Sequence, residues 1–260
     1  MKSNRLTPIF LTSLIMVVLT AACGGAPPEP TATPTEAPPT AVPSATPRPT
    51  ATPRPTATPD LAATQQVEEV TARIQSYVDN GYFPSAEGRY FELLDYEREM
   101  AKINYLDVDF AGYEDLVQNF AIWAHIKMQS ARTVNYPEYS GCGFSFRINP
   151  NNFDGYTAHL TNKAVLLTFC NSSIGRCGEI GKTRGKGTLD LPNPAEADME
   201  LVVNGSKAYV HVNGEFIGEY TLFTDKMLEP GYILYSIISG TNADYGTRCE
   251  VTDAGMWIAK

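Results

Sequence analysis

The chain has 260 residues, with 29 Asp and Glu against 20 Lys and Arg, giving a net charge of −9. Twelve of its 19 prolines lie between Pro27 and Pro59, so only the 200 residues from Leu61 onward have the composition of a folded domain, enough for one hydrophobic core. That stretch holds 26 acidic and 16 basic residues, which argues against a phosphate-neutralising surface and so against nucleic acid as a partner.

The first segment reads as an export signal. Lys2 and Arg5 supply positive charge ahead of Ile9–Thr20, a 12-residue stretch dominated by apolar side chains. A bilayer takes about 20 such residues to cross, so this one is too short to span it. It ends in Leu19-Thr20-Ala21-Ala22-Cys23-Gly24, which resembles the bacterial lipobox, although threonine three positions before the cysteine departs from its commonest form. The resemblance implies that residues 1–22 are a lipoprotein signal peptide and that Cys23 carries acyl chains such as palmitate. Several chains on one cysteine anchor firmly where one alone would not. The expected location is extracytoplasmic, lipid-anchored to the bacterial cell membrane, with the membrane as a partner through the anchor only. The other reading is an ordinary signal peptide cut after Ala22, which would leave a free thiol.

Residues 23–60 follow as a Pro/Thr/Ala-rich stalk in which Ala45–Thr50 repeats as Ala51–Thr56. Almost nothing larger than alanine is apolar there, so no core forms and a disordered linker is expected. Polyproline II at ~3.1 Å per residue would give such a spacer a reach of about 100 Å.

Residues 61–260 are expected to form a helix followed by an antiparallel β-sandwich. Asp60 or Thr64 can cap a helix running to about Asp79. Val67, Val70, Ile74, Tyr77 and Val78 share one face of it, and Asn80-Gly81 supplies a stop. This amphipathic helix is read as packing across the domain. From Gly88 the period becomes two. Alternating runs at Phe120–Met128, Cys142–Ile148, Gly155–Thr161, Val165–Phe169, Met199–Val203, Lys207–Val212, Glu215–Leu222, Tyr232–Ile238 and Arg248–Ile258 predict many short strands. Asn204-Gly205 and Asn213-Gly214 mark two tight turns.

The stretch from Glu200 to Gly218, ELVVNGSKAYVHVNGEFIG, resembles the central meander of concanavalin A-like lectin/glucanase sandwiches. In pattern it is nearest the laminin-G-like and 3-keto-disaccharide-hydrolase-type modules of bacterial surface proteins. Gly143–Arg147, Tyr156 and Asp253–Ile258 fall in the order such a module expects, so the resemblance covers about residues 118–260. It implies an all-β jelly roll, on a scaffold that hosts lectins, hydrolases and structural modules alike. Retaining glucanases of that superfamily carry Glu-x-Asp-x-Glu on one strand, and Glu196, Asp198 and Glu200 match the spacing. Their context differs: they follow a Pro-rich turn at a solvent-facing strand start, and no Trp lies nearby in the sequence.

The three histidines fall opposite the apolar face of their strands, His125 beside Trp123, His159 beside Thr157 and His211 beside Tyr209. If those strands share a sheet, Trp123, His125, His159, Tyr209 and His211 line its outer surface, either as a solvated face or as a ligand face that stacks on a sugar. No His-x-His or Glu-x-x-His spacing supports a metal site. Setting Cys23 aside, four cysteines in an exported domain suit two disulfides. Cys170 and Cys177 flank a hairpin-like loop, while Cys142 and Cys249 share inward parity, giving the pairs Cys170–Cys177 and Cys142–Cys249. Asp107, Asp109, Glu114 and Asp115 form a further acidic cluster. Calcium supports sandwiches of that superfamily at such loops, but no EF-hand-like order is present and a solvated loop is the reading adopted; no other cofactor is expected.

The function expected is that of a lipid-anchored, surface-displayed binding or structural module without catalysis, its ligand a glycan or cell-wall polysaccharide by analogy of fold. The alternatives are a glycoside hydrolase using Glu196, Asp198 and Glu200, and a module that binds another surface protein through an exposed apolar patch.

Overall fold

The computed structural model describes residues 61–133, 139–223 and 228–260, with no side-chain description for 61–64. The signal peptide, Cys23 and the stalk lie outside the described residues.

One helix and fourteen strands follow in order: α1 Leu61–Asp79, β1 Gly88–Glu92, β2 Tyr96–Met100, β3 Tyr105–Phe110, β4 Phe120–Ser130, β5 Gly141–Ile148, β6 Gly155–Leu160, β7 Val165–Asn171, β8 Arg176–Glu179, β9 Lys182–Arg184, β10 Ala195–Asn204, β11 Lys207–Val212, β12 Glu215–Thr221, β13 Tyr232–Ser239 and β14 Thr247–Ala259. They form two antiparallel sheets. The larger runs β1-β14-β4-β10-β11-β12-β9, with β2 also paired to β14, and the smaller runs β3-β13-β5-β6-β7-β8. The fold is the expected all-β sandwich preceded by one helix.

Alternation builds the core. On β4 the residues Phe120, Ile122, Ala124, Ile126 and Met128 turn inward, and on β10 Ala195, Ala197, Met199, Leu201 and Val203 do the same. They meet Phe144 and Phe146 of β5, Tyr156 and Leu160 of β6, and Tyr235 of β13, all buried between the sheets. Cys142 on β5 and Cys249 on β14 are bonded, which ties the two sheets together, and Cys170 and Cys177 close the β7–β8 hairpin. Both expected disulfides are present.

A second apolar cluster lies on the outer face of the larger sheet, where α1 packs. Ile74 and Tyr77 of the helix, with Tyr82 and Phe83 just after it, cover Ala121, Trp123 and Val202. Val67 is expected on this face but is 65% exposed; the fully buried helix residues, Ile74 and Tyr77, lie in the later turns. The helix stops as predicted: Gly81 has φ 74° and its N–H donates to the Val78 carbonyl at 2.9 Å.

Candidate functional site: a cleft beside the helix

Because β10 alternates, the residues between its core positions stand on the outer face, and Glu196, Asp198 and Glu200 do so together. The sequence reading placed them at the start of a strand with no Trp at hand. They do open the ten-residue strand β10, but cross-strand pairing with β4 sets Glu200 opposite Trp123, Asp198 opposite His125 and Glu196 opposite Lys127. Tertiary pairing brings the indole there, across a sequence gap that no local pattern reveals.

His125 sits between two of these carboxylates. Its Nδ1 is 2.8 Å from Asp198 Oδ1 and its Nε2 is 3.3 Å from Glu196 Oε1. Hydrogen bonding to Asp198 is the main cause holding its pKa above the usual histidine value; partial burial opposes this, and Glu196 adds to it. Glu200 turns instead toward α1. The Arg73 guanidinium pairs with its carboxylate and also lies 4.7 Å from the centre of the Trp123 ring, while Tyr77 Oη donates to Glu200 Oε2 at 3.0 Å. Burial, followed by the Glu200 charge, pushes the Tyr77 phenol far above its ordinary value. On the other side, Tyr90 of β1 stacks on Trp123 with centroids 5.9 Å apart. Gly255 is the register partner of Trp123 on β14, and a Cβ there would stand 2.8 Å from the indole, so this position needs glycine.

Between α1, β1, β4, β10 and the bulge of β14 lies an open cleft of about 630 Å³. Tyr90 and Trp123 give its lining aromatic surface. Glu69, Glu92, Asp95 and Asp253 add carboxylates to those of Asp198 and Glu200, against the Arg73 guanidinium and the His125 imidazole. Such a wall accepts hydrogen bonds from hydroxyl or amine groups and repels anions. Glu196 does not line it. The side chains of Glu196 and Glu200 turn to different partners, His125 for one and α1 for the other.

The remaining predicted residues are placed differently. Tyr209 and His211 share the outer face but not the cleft. Tyr82 covers them, stacked on Tyr209 at 4.1 Å with its hydroxyl 3.2 Å from His211 Nε2. Burial lowers the His211 pKa. His159 belongs to β6, in the smaller sheet, and does not join the others. It is fully buried, its Nε2 lies 2.9 Å from Ser236 Oγ, and desolvation pushes its pKa down to about 3. The expectation of one face shared by three histidines therefore holds for two only, because strand parity cannot say which sheet a strand joins. The acidic cluster also disperses: Asp107 pairs with Arg98, Asp109 accepts from the Phe110 N–H, and Asp115 accepts from the Tyr113 hydroxyl. Among the described residues no group of three or more His, Cys, Asp or Glu is placed to hold a metal.

Arg73, Tyr77, Tyr90 and Asp253 were not anticipated as site residues. Two faint signals existed. Arg73 adjoins the apolar helix face next to Ile74, and Asp253-Ala254-Gly255 interrupts the alternation of β14, where a bulge sets Asp253 at φ 52°.

No protein-family model and no curated protein matches this sequence. Among solved structures, a fructosyltransferase from A. japonicus aligns at 12% identity and TM-score 0.43, over 67% of this chain and 27% of its own, so the match spans about a quarter of that enzyme. A carbohydrate-binding module, CBM66, from Bacillus subtilis aligns at 9% identity and TM-score 0.39, over 60% of this chain and 98% of its own. Sheep galectin-11 aligns at 11% identity and TM-score 0.35, again over 60% and 98%. Likenesses this remote carry no argument about ligand or activity.

Proposed function

We propose that this protein is a lipid-anchored, surface-displayed module that binds a glycan in the cleft between α1 and the larger sheet without acting on it chemically. The observation that carries the reading is the cleft itself: about 630 Å³, open, with Tyr90 for stacking and several carboxylates to accept hydroxyl hydrogen bonds. Its acidity favours neutral or amine-bearing sugars over phosphorylated or uronic ones. Cys23 as the lipid anchor and residues 24–60 as the stalk complete the proposal, which sets the domain at a distance from the membrane.

The test is glycan-array binding of the full chain, with and without calcium. Binding to a neutral or amine-bearing polysaccharide is expected, weakened about tenfold by Tyr90→Ala or His125→Ala, since each removes one stacking or hydrogen-bonding group. No binding to any polysaccharide would overturn the reading. The hydrolase alternative draws on the shared outward face of Glu196, Asp198 and Glu200. It requires release of reducing ends from a polysaccharide that binds, lost in Glu200→Gln. The protein-binding alternative draws on Tyr105, Val108 and Phe110, which are exposed along edge strand β3.

A further inference from the structure

A smaller cavity of about 210 Å³ lies at the end of β5, and it shares no lining residue with the cleft. Its most unusual member is Arg147. This side chain is only 4% exposed, yet it sits at φ 50°, in a bulge where β5 slips register against β13. Non-glycine residues rarely hold that conformation unless their surroundings enforce it. Here the backbone leaves no slack. A Cβ on Gly231 would stand 2.4 Å from the Arg147 carbonyl carbon, and one on Gly155 would stand 2.5 Å from Ile148 Cδ1.

The guanidinium is incompletely matched. Its Nε and Nη2 donate to the Gln118 carbonyl at 3.1 and 2.8 Å, but its buried Nη1 has no acceptor among the described residues. Burial lowers its pKa to about 10. A buried charged donor left without a partner is costly, and structures rarely retain one.

The other lining residues define what would complete it. Asn149 and Asn152 carry amides, Phe169 offers an aromatic ring, and Glu229 is an exposed carboxylate in the wall. Asp154 also lines the cavity, but its oxygens already accept from Asn152, Asn171 and the Ser172 N–H. A simple anion would meet two carboxylates here, and a simple cation would meet Arg147. Hydroxyl groups both donate and accept, so a polyhydroxylated ring answers a mixed set of this kind. The volume is below the ~300 Å³ at which pockets for larger ligands begin, so it suits one ring rather than an oligomer. We infer that this cavity is a second saccharide pocket, taking a single sugar ring that accepts from Arg147 and donates to Glu229. The inference stands apart from the glycan reading of the cleft.

The experiment is a titration of the ¹⁵N-labelled full chain with glucose, galactose, arabinose and N-acetylglucosamine, each in the millimolar range, with sulfate and spermidine as charged controls. The Arg147 Nε–H and the Asn149 and Asn152 side-chain amides are the reporters. At least one sugar is expected to move these signals together, and Glu229→Gln to weaken its affinity about tenfold. Glu229 is exposed, so that variant keeps the fold, whereas Arg147→Met also frees the Gln118 carbonyl and is the less clean test. Movement by sulfate or spermidine alone would overturn the inference, as would no movement with any sugar, or an unchanged sugar affinity in Glu229→Gln.

Discussion

His125, His159 and His211 have nearly the same strand context in the sequence and three different environments in the structure. His125 keeps a partly exposed imidazole between Asp198 and Glu196, so protonation gains two hydrogen-bonded counter-charges. Its folded pKa is raised, and the stability it contributes is fully present below about pH 6.5, the unfolded value. That contribution is lost as pH rises through the elevated folded value. His159 runs the other way. It is buried neutral beside Ser236, so the unfolded state takes up its proton first and stability falls as pH drops from about 6.5 toward about 3. An NMR titration should place the His125 imidazole above 6.5 and leave His159 neutral down to the onset of acid unfolding. Asp198→Asn should bring His125 back toward the ordinary value; an unchanged titration would mean that the clamp does not operate in solution.

Among the elements, α1 decides what the outer face of the larger sheet can be. Without it, Trp123, Ala121 and Val202 would be an exposed apolar patch; with it they are a floor, and the cleft is what the helix leaves open. Packing rests on few side chains, of which Ile74 and Tyr77 are almost fully buried. Ile74→Ala should therefore destabilise the domain by about 2–4 kcal/mol, the usual cost of deleting buried methyl groups, read as a lower denaturant midpoint. A loss under about 1 kcal/mol would show that the helix is only loosely docked. The apolar periodicity of α1 was legible in the sequence, yet it included Val67 and omitted Arg73, the residue that joins helix to site through Glu200 and Trp123. Periodicity reports which residues are apolar. It does not report where the sheet beneath ends.

At the scale of the whole molecule, the Cys142–Cys249 bond joins β5 of one sheet to β14 of the other across 107 residues of chain. In the chain-entropy model a loop of that length stabilises by about 4–5 kcal/mol, and the short Cys170–Cys177 hairpin loop by about 2.5 kcal/mol. The paired variants Cys142→Ala/Cys249→Ala and Cys170→Ala/Cys177→Ala should rank in that order in equilibrium denaturation. Equal losses would mean that the inter-sheet bond adds little beyond packing. The hairpin spacing of Cys170 and Cys177 and the shared inward parity of Cys142 and Cys249 were enough to pair all four, because inward residues of facing sheets meet in the core.

The sequence by itself determined the alternation that makes a two-sheet sandwich, the helix stop at Gly81 and both disulfide pairs. Apart from the Cys142–Cys249 pair, these are properties of short windows, where period and turn chemistry act within a few residues. Only the tertiary structure decided that His125 meets Asp198, that Trp123 lies against Glu200, that Arg73 reaches across to both, and that His159 belongs to another sheet. Those contacts join strands and helix far apart in the chain. Which strands become neighbours is settled by the packing of the whole core, and no local pattern encodes it.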